Sequence, residues 1–216
     1  MSTASTTPTH PPEVGSSAPA PVSDRKTAIL EAALAVFTEK GVADTTIDDI
    51  RVRSQASVGS IYHHFGNKEG IAAALFAHGL DDYWGQLISG VQAAPDAERA
   101  IHAMLTAHIG WIMAQPELAR FLFARRQAVS AAHDQSIRER SGEHFKNLFA
   151  LMKPWFAAGI LRRMPAELYG PLLVGPAQEY ARQWLSGRTT LAPEIAIQEL
   201  SAAAWRSMAS DPNRSN

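Results

Sequence analysis

A chain of 216 residues with 46% hydrophobic side chains can build a substantial core and is too apolar to be disordered throughout. Its formal net charge of −1 excludes a uniformly basic protein, so any nucleic-acid surface has to be local. The absence of cysteine excludes disulfides, thiolate zinc sites and a Cys nucleophile, and no apolar run approaches the roughly 18 residues of a membrane helix.

Residues 1–23, rich in Ser, Thr, Pro and Ala, are expected to form a disordered tail. The tail has neither a secretory pattern nor any Lys or Arg with which an arm would reach phosphate. A cytoplasmic, membrane-free protein is the expectation. From Asp24 the pattern turns helical: Ile29, Leu30, Ala33, Leu34 and Phe37 recur on one face, Ser23 or Asp24 can cap the start, and Gly41 can end the helix. Asp44, Thr45 and Thr46 offer caps for a short helix with Ile47 and Ile50 inward. Gln55-Ala56 makes a tight turn, and Ser57 can cap a second short helix running to about His63. After the Gly66-Asn67 turn, a long helix starts near Lys68 and carries Ile71, Leu75, Phe76, Leu80 and Trp84.

Beyond Gly90 the periodicity predicts helices over 96–114, 116–129, 133–158, 166–186 and 193–209, with Pro95, Pro116, Pro165 and Pro193 at their starts. Pro154, Pro171 and Pro176 fall inside helical patterns and are expected to kink or break them. No strand is predicted. The fold class is therefore all-α with about nine helices. An N-terminal three-helix unit over 24–70 is followed by a C-terminal helical domain over 71–209 and a flexible C-terminus over 210–216.

The stretch SVGSIYHHFGNK, Ser57 to Lys68, holds the densest chemistry. His63 and His64 are adjacent, so on a helix they point about 100° apart and cannot share one ion. No Asp or Glu stands three or four residues from either, and no metal or cofactor is predicted. Ser57 or Ser60 beside a histidine lacks the orienting group and oxyanion hole of a catalytic site, so no catalytic residue is assigned. A surface that lies against something explains more. Gly59 inside a helix costs about 1 kcal/mol relative to Ala, which makes sense where a bulky object must come close. Between Arg51 and Lys68 the charges are Arg51, Arg53 and Lys68, with no acid. Two short helices joined by a tight turn, the second small at its start, describe a helix-turn-helix.

The segment TTIDDIRVRSQASVGSIYHHFGNKEGI, Thr45 to Ile71, resembles the DNA-binding signature of TetR-family transcriptional regulators (the TetR/AcrR family). Thr46, Ile47, Ile50, Ser57, Gly59, Ile61, Tyr62, His64, Phe65, Lys68 and Glu69 fit its pattern. The departures are Ser54-Gln55-Ala56, where the family commonly has Ala-Gly-Val, and Arg51, where a small residue is usual. Gln55 must then adopt whatever backbone the usual Gly adopts. The resemblance implies a regulator rather than an enzyme: a homodimer that places two recognition helices into successive major grooves of a partly palindromic double-stranded DNA operator. Val58, Gly59 and Ser60 are the base-facing candidates, with Arg51 or Arg53 adding specificity. Thr46, Ser57, Tyr62, His64 and Lys68 would hold the backbone. His63 faces either DNA or solvent.

The resemblance further implies a repressor released by a small-molecule effector bound in the C-terminal domain. Candidate pocket residues are His102, Met104, His108, Trp111, Phe121, Phe145, Phe149 and Tyr180, whose aromatic character suits a hydrophobic or aromatic ligand. For the dimer interface the last two predicted helices supply Leu172, Leu173, Tyr180 and Trp184 from the first, and Ile197, Leu200, Ala204, Trp205 and Met208 from the second. The competing readings are a helical protein-interaction adaptor and a helical enzyme, neither binding DNA. The first would not need Gly59, Tyr62 and Lys68 together, and the second would need convergent catalytic groups that the sequence does not offer.

Overall fold

The computed structural model describes residues 22–124 and 131–210, and within these every regular element is a helix. The expected tail up to residue 21, the end of the helix expected over 116–129 and the last six residues lie outside the described residues. There are ten helices among the described residues, one more than predicted: α1 (Val22–Asp44), α2 (Ile47–Ser54), α3 (Val58–Phe65), α4 (Lys68–Ala93), α5 (Ala97–Ala114), α6 (Pro116–Phe123), α7 (Ala131–Ala157), α8 (Ala166–Leu173), α9 (Gly175–Leu185) and α10 (Pro193–Met208).

Several boundaries differ from expectation. Helix α1 starts at Val22, so Ser23 and Asp24 belong to its first turn instead of capping it. Gly41, at φ 79° and ψ 159°, interrupts α1 one turn before its end, in a conformation that costs glycine little. The single helix predicted over 166–186 is two, broken at Val174. Pro176, which lacks an N–H, sits in the first turn of α9, where no N–H is needed. Pro154 and Pro171 lie within α7 and α8, and each of these helices ends within three residues after its proline. Outside the helices, Leu161 and Ala209 form one isolated antiparallel bridge, tying the start of the α7–α8 connection to the end of α10.

Two buried clusters organise the molecule. The first joins Ile29, Ala33 and Phe37 of α1 with Ile50, Ile61, Ile71, Leu75 and Phe76, and runs on into Trp111, Leu118 and Phe121. Phe121 stacks against Phe37, ring centroids 5.8 Å apart, so α6 closes the underside of the N-terminal unit. The second cluster lies between α4, α5, α7, α8, α9 and α10, around Leu87, Ile101, Met104, Leu105 and Met152. Helix α4 contributes to both, packing on α1 and α6 near its start and along α5 and α7 beyond. Any shift of α4 therefore moves the small N-terminal helices relative to the body.

Candidate nucleic-acid interface

Each short helix of the N-terminal unit is fixed by its own cap. Thr46 opens α2 with a reciprocal capping box: its Oγ1 accepts from Asp49 N–H (3.1 Å), while its own N–H donates to Asp49 Oδ2 (2.9 Å). Asp49 also accepts from Lys40 Nζ at 2.7 Å. That bond, followed by those from Thr46, holds the Asp49 carboxyl down at about 2. Ser57 opens α3 by accepting from Ser60 N–H at 3.1 Å, and Asn67 opens α4 by accepting from Gly70 N–H at 2.7 Å. At Gly70 a Cβ would stand 2.0 Å from the Phe65 carbonyl oxygen, so glycine is what lets α3 and α4 meet at so tight an angle.

The turn between α2 and α3 hinges on Gln55, which is left-handed at φ 55° and ψ 19°. It is the one non-glycine residue with positive φ among the described residues. The departure read from the sequence thus has a structural counterpart, in that Gln55 takes the conformation a glycine would take there.

Helix α3 buries Ile61 and leaves a face to solvent. Ser57, Val58, Gly59, Tyr62 and His63 are exposed, and Ser60 and His64 are half-buried. Tyr62 retains 51% of its surface. A Cβ added at Gly59 would meet nothing within 4 Å. No described residue requires glycine there, as is also the case at Gly85, Gly110, Gly142 and Gly170, so any demand for smallness would come from outside the chain. The rings of His63 and His64 meet edge-on with centroids 5.2 Å apart. Among the described residues no group of three His, Asp or Glu side chains could hold a metal ion.

The cations are more tied up than the sequence suggests. Arg51 Nε donates to Asp48 Oδ1 at 2.6 Å, and Arg53 pairs with Glu39 of α1. Lys68 Nζ donates to the Ala43 carbonyl at 2.7 Å, fastening α4 to the end of α1. Two of the three cations in the acid-free stretch from Arg51 to Lys68 are therefore neutralised from outside it, by Asp48 and Glu39. These pairs are exposed, and exposed pairs contribute only about 0–1 kcal/mol, so a phosphate can replace the carboxylate at small cost. One exposed apolar side chain was missed. Val52 retains 61% of its surface, and its signal was present in the sequence: it stands two residues from Ile50, about 200° round α2 from the buried face.

The candidate pocket residues do not converge on one cavity. Met104, His108 and Trp111 are buried in the body, while His102 lines a separate polar groove with Asp96 and Ser201. Phe121 belongs to the underside of the N-terminal unit. Phe145 packs on Phe149 at 4.7 Å, and Phe149 opens onto a groove beside α7. Tyr180 is buried and donates to the Leu191 carbonyl at 2.8 Å. Burial, then Glu194, pushes its pKa up.

A tighter grouping lies where α4, α5 and α7 meet. Tyr83, which the sequence reading did not single out, shares a 2.8 Å hydrogen bond with His108 Nδ1 and meets the Trp111 ring edge-on at 5.4 Å. Burial raises the Tyr83 hydroxyl and drives the His108 imidazole down to about 4. His108 Nε2 is buried and has no hydrogen-bond partner among the described residues. Trp111 Nε1 donates to Asp82 at 2.7 Å, and the neighbouring Asp81 holds both Arg140 and His144 of α7. Of the interface candidates, Leu173, Tyr180, Ala204 and Met208 are buried within the chain and serve its own core, whereas Leu172, Trp184, Ile197, Leu200 and Trp205 are half-buried.

Residues 29–75 match the family model described as bacterial regulatory proteins, tetR family. Over 84 residues the chain is 33% identical to the HTH-type transcriptional repressor KstR2 of Rhodococcus jostii, covering 39% of this chain and 41% of that protein. Over 85 residues it is 33% identical to the HTH-type transcriptional regulator BetI of Burkholderia thailandensis, covering 39% and 44%. The matched stretch thus spans about two-fifths of these curated relatives. Among solved structures, a TetR family transcription regulator from Marinobacter aquaeolei superposes with a TM-score of 0.73 at 17% identity, over 88% of this chain and 97% of that one. A second, from Shewanella sp. PV-4, gives 0.71 at 23% identity, over 87% and 99%. Residues 29–75 are thus similar to the N-terminal domain of the tetR family of bacterial regulatory proteins, and the chain has a TetR-like all-helical fold.

Proposed function

We propose that the chain is a transcriptional regulator, not an enzyme, that binds double-stranded DNA as a homodimer and lays α3 of each copy in the major groove of a partly palindromic operator. The observation that carries this reading is the outer face of α3. It is small at Gly59, free of internal contacts there, and bordered by Val58, Tyr62 and the Ser57-capped helix start, whose N–H groups suit phosphate. Val58 and Val52 offer methyl groups to thymine, and Arg51 and Arg53 can exchange their carboxylates for phosphate or a guanine edge. Thr46 and Lys68 act mainly by holding the unit together.

Repression relieved by a hydrophobic or aromatic effector is the regulatory reading. It is supported by the grouping of half-buried Tyr83 with buried His108 and Trp111, whose His108 Nε2 has no partner among the described residues, at α4, the helix joining reading head to body. Such a ligand acts only through its different affinity for the DNA-bound and free arrangements. Dimerisation is supported by apolar side chains left at the surface late in the chain, Leu168, Leu191 and Ile195, beside the half-buried Leu172 and Trp205. No helix among the described residues is long and apolar enough to cross a membrane. We place the protein in the cytoplasm, where a DNA-binding regulator would act. The test is Tyr62→Phe: it should lower affinity about equally for operator and unrelated DNA, by several-fold for one lost phosphate hydrogen bond, with unchanged helical circular dichroism. Unchanged affinity would remove Tyr62, and with it the assigned face of α3, from the interface.

A further inference from the structure

Beside α7 lies a groove of about 490 Å³ whose floor is aromatic and whose rim is cationic. Phe149 and Phe156 stack with centroids 5.7 Å apart and planes within 10°, and Tyr169 of α8 stands edge-on to both at 4.6 and 5.5 Å. The Tyr169 hydroxyl accepts from Met164 N–H at 3.2 Å, which fixes the ring and closes one end. Lys146 and Lys153, seven residues apart on α7, share the helix face of Phe149, and Arg163 faces them from the α7–α8 connection.

Among the described residues no Asp or Glu lines this groove. Several other cations of the chain are held by carboxylates. Lys40, Arg51, Arg53, Arg99, Arg140 and Arg182 each pair with a carboxylate, whereas Lys146, Lys153 and Arg163 have no hydrogen-bond or ion-pair partner among the described residues. Three like charges around a half-buried apolar floor raise a local positive potential that no carboxylate among the described residues offsets by direct pairing. A bound anion would offset it, and the aromatic floor would take up an apolar body. The volume falls in the range of about 300–1,000 Å³ usual for small-molecule sites.

We propose that this groove binds a small organic anion with an apolar body: a carboxylate, sulfonate or phosphate head held by Lys146, Lys153 and Arg163, and a flat or extended apolar part lying on Phe149 and Phe156. The site is distinct from the Tyr83–His108–Trp111 grouping. It does not depend on the DNA-binding reading, and its test uses no DNA. The full chain is titrated with 1-anilinonaphthalene-8-sulfonate and, in parallel, with the uncharged N-phenyl-1-naphthylamine. The sulfonate should bind saturably and more tightly. Lys153→Gln combined with Arg163→Gln should weaken it by about tenfold or more, as expected for losing two charge contacts, and leave the neutral dye within about twofold. Dodecanoate should displace the sulfonate better than dodecanol does. Both substitutions are at exposed positions, and circular dichroism checks that the fold is kept. Equal affinity for the two dyes, or sulfonate binding untouched by the double substitution, would overturn the proposal. So would absence of saturable binding together with a change in oligomeric state in the variant, which would make the groove a contact between copies.

Discussion

Gln55 holds a left-handed backbone at φ 55° without the freedom of glycine, at a cost of about 1 kcal/mol or somewhat more. Gln55→Gly should therefore raise stability by up to about 1 kcal/mol, net of the extra entropy glycine brings to the unfolded chain, read as an increased urea midpoint with unchanged slope. A lower midpoint would mean that the Gln55 side chain stabilises the turn in a way its backbone does not show. Gly59 is the opposite case, a glycine in an ordinary helical position with open space around it. Gly59→Ala should gain up to about 1 kcal/mol in stability, while Gly59→Leu should fold normally and lose most operator affinity. Retained affinity in the leucine variant would show that nothing approaches α3 at this point.

At the scale of elements, α4 and α5 are joined by the Tyr83–His108 bond in a setting that keeps the imidazole neutral. Because the folded pKa, about 4, lies below the ordinary value near 6.5, the unfolded chain takes up a proton first as pH falls. The stability that His108 supplies is whole above about pH 6.5 and is lost progressively down to about 4, with about 2 kcal/mol gone at pH 5. Denaturant midpoints at pH 7 and 5 should show this loss in the parent chain and a much smaller one in His108→Gln. Equal losses would assign the pH dependence to other groups.

The same junction shows what the sequence could and could not reveal. The caps Thr46 and Ser57, the turn at Gly66 and the inward Ile50 and Ile61 were legible because each follows from local chemistry within four residues. Tyr83, Asp81 and Asp82 were not, because their partners lie 25 to 63 residues away and come close only once α4, α5 and α7 pack. For the same reason Arg53 read as a free cation, since Glu39, which pairs with it, sits 14 residues earlier on α1. The break at Val174 agrees with the expectation that Pro171 and Pro176 kink or break the helix over 166–186, but its exact place was not legible, because Pro176 suits a first turn as well as a kink. The pocket candidates scattered because aromatic residues at helical spacing mark buried faces without saying which buried face.

For the whole molecule, the described chain is a small reading head, α1 to α3, mounted on a larger helical body through α4, with core continuous across the join. A single α3 offers few bidentate hydrogen-bond donors, so on the proposed reading specificity comes from two copies at fixed spacing, about one helical turn of DNA apart or a little more. The near-neutral chain, with Arg51 and Arg53 already paired, also implies a modest number of phosphate contacts and a correspondingly moderate salt dependence.

The central claim, a dimer reading a palindromic site through α3, is tested most directly by selecting binding sequences from a random DNA pool with the purified chain. Affinity for the enriched site and for scrambled DNA is then measured at two salt concentrations. The account predicts a partly palindromic site bound by two copies at least about 10³-fold more tightly than scrambled DNA, with Gly59→Leu abolishing the enrichment. A folded protein that enriches no sequence, or whose enriched sequence is bound equally well by Gly59→Leu, would contradict it.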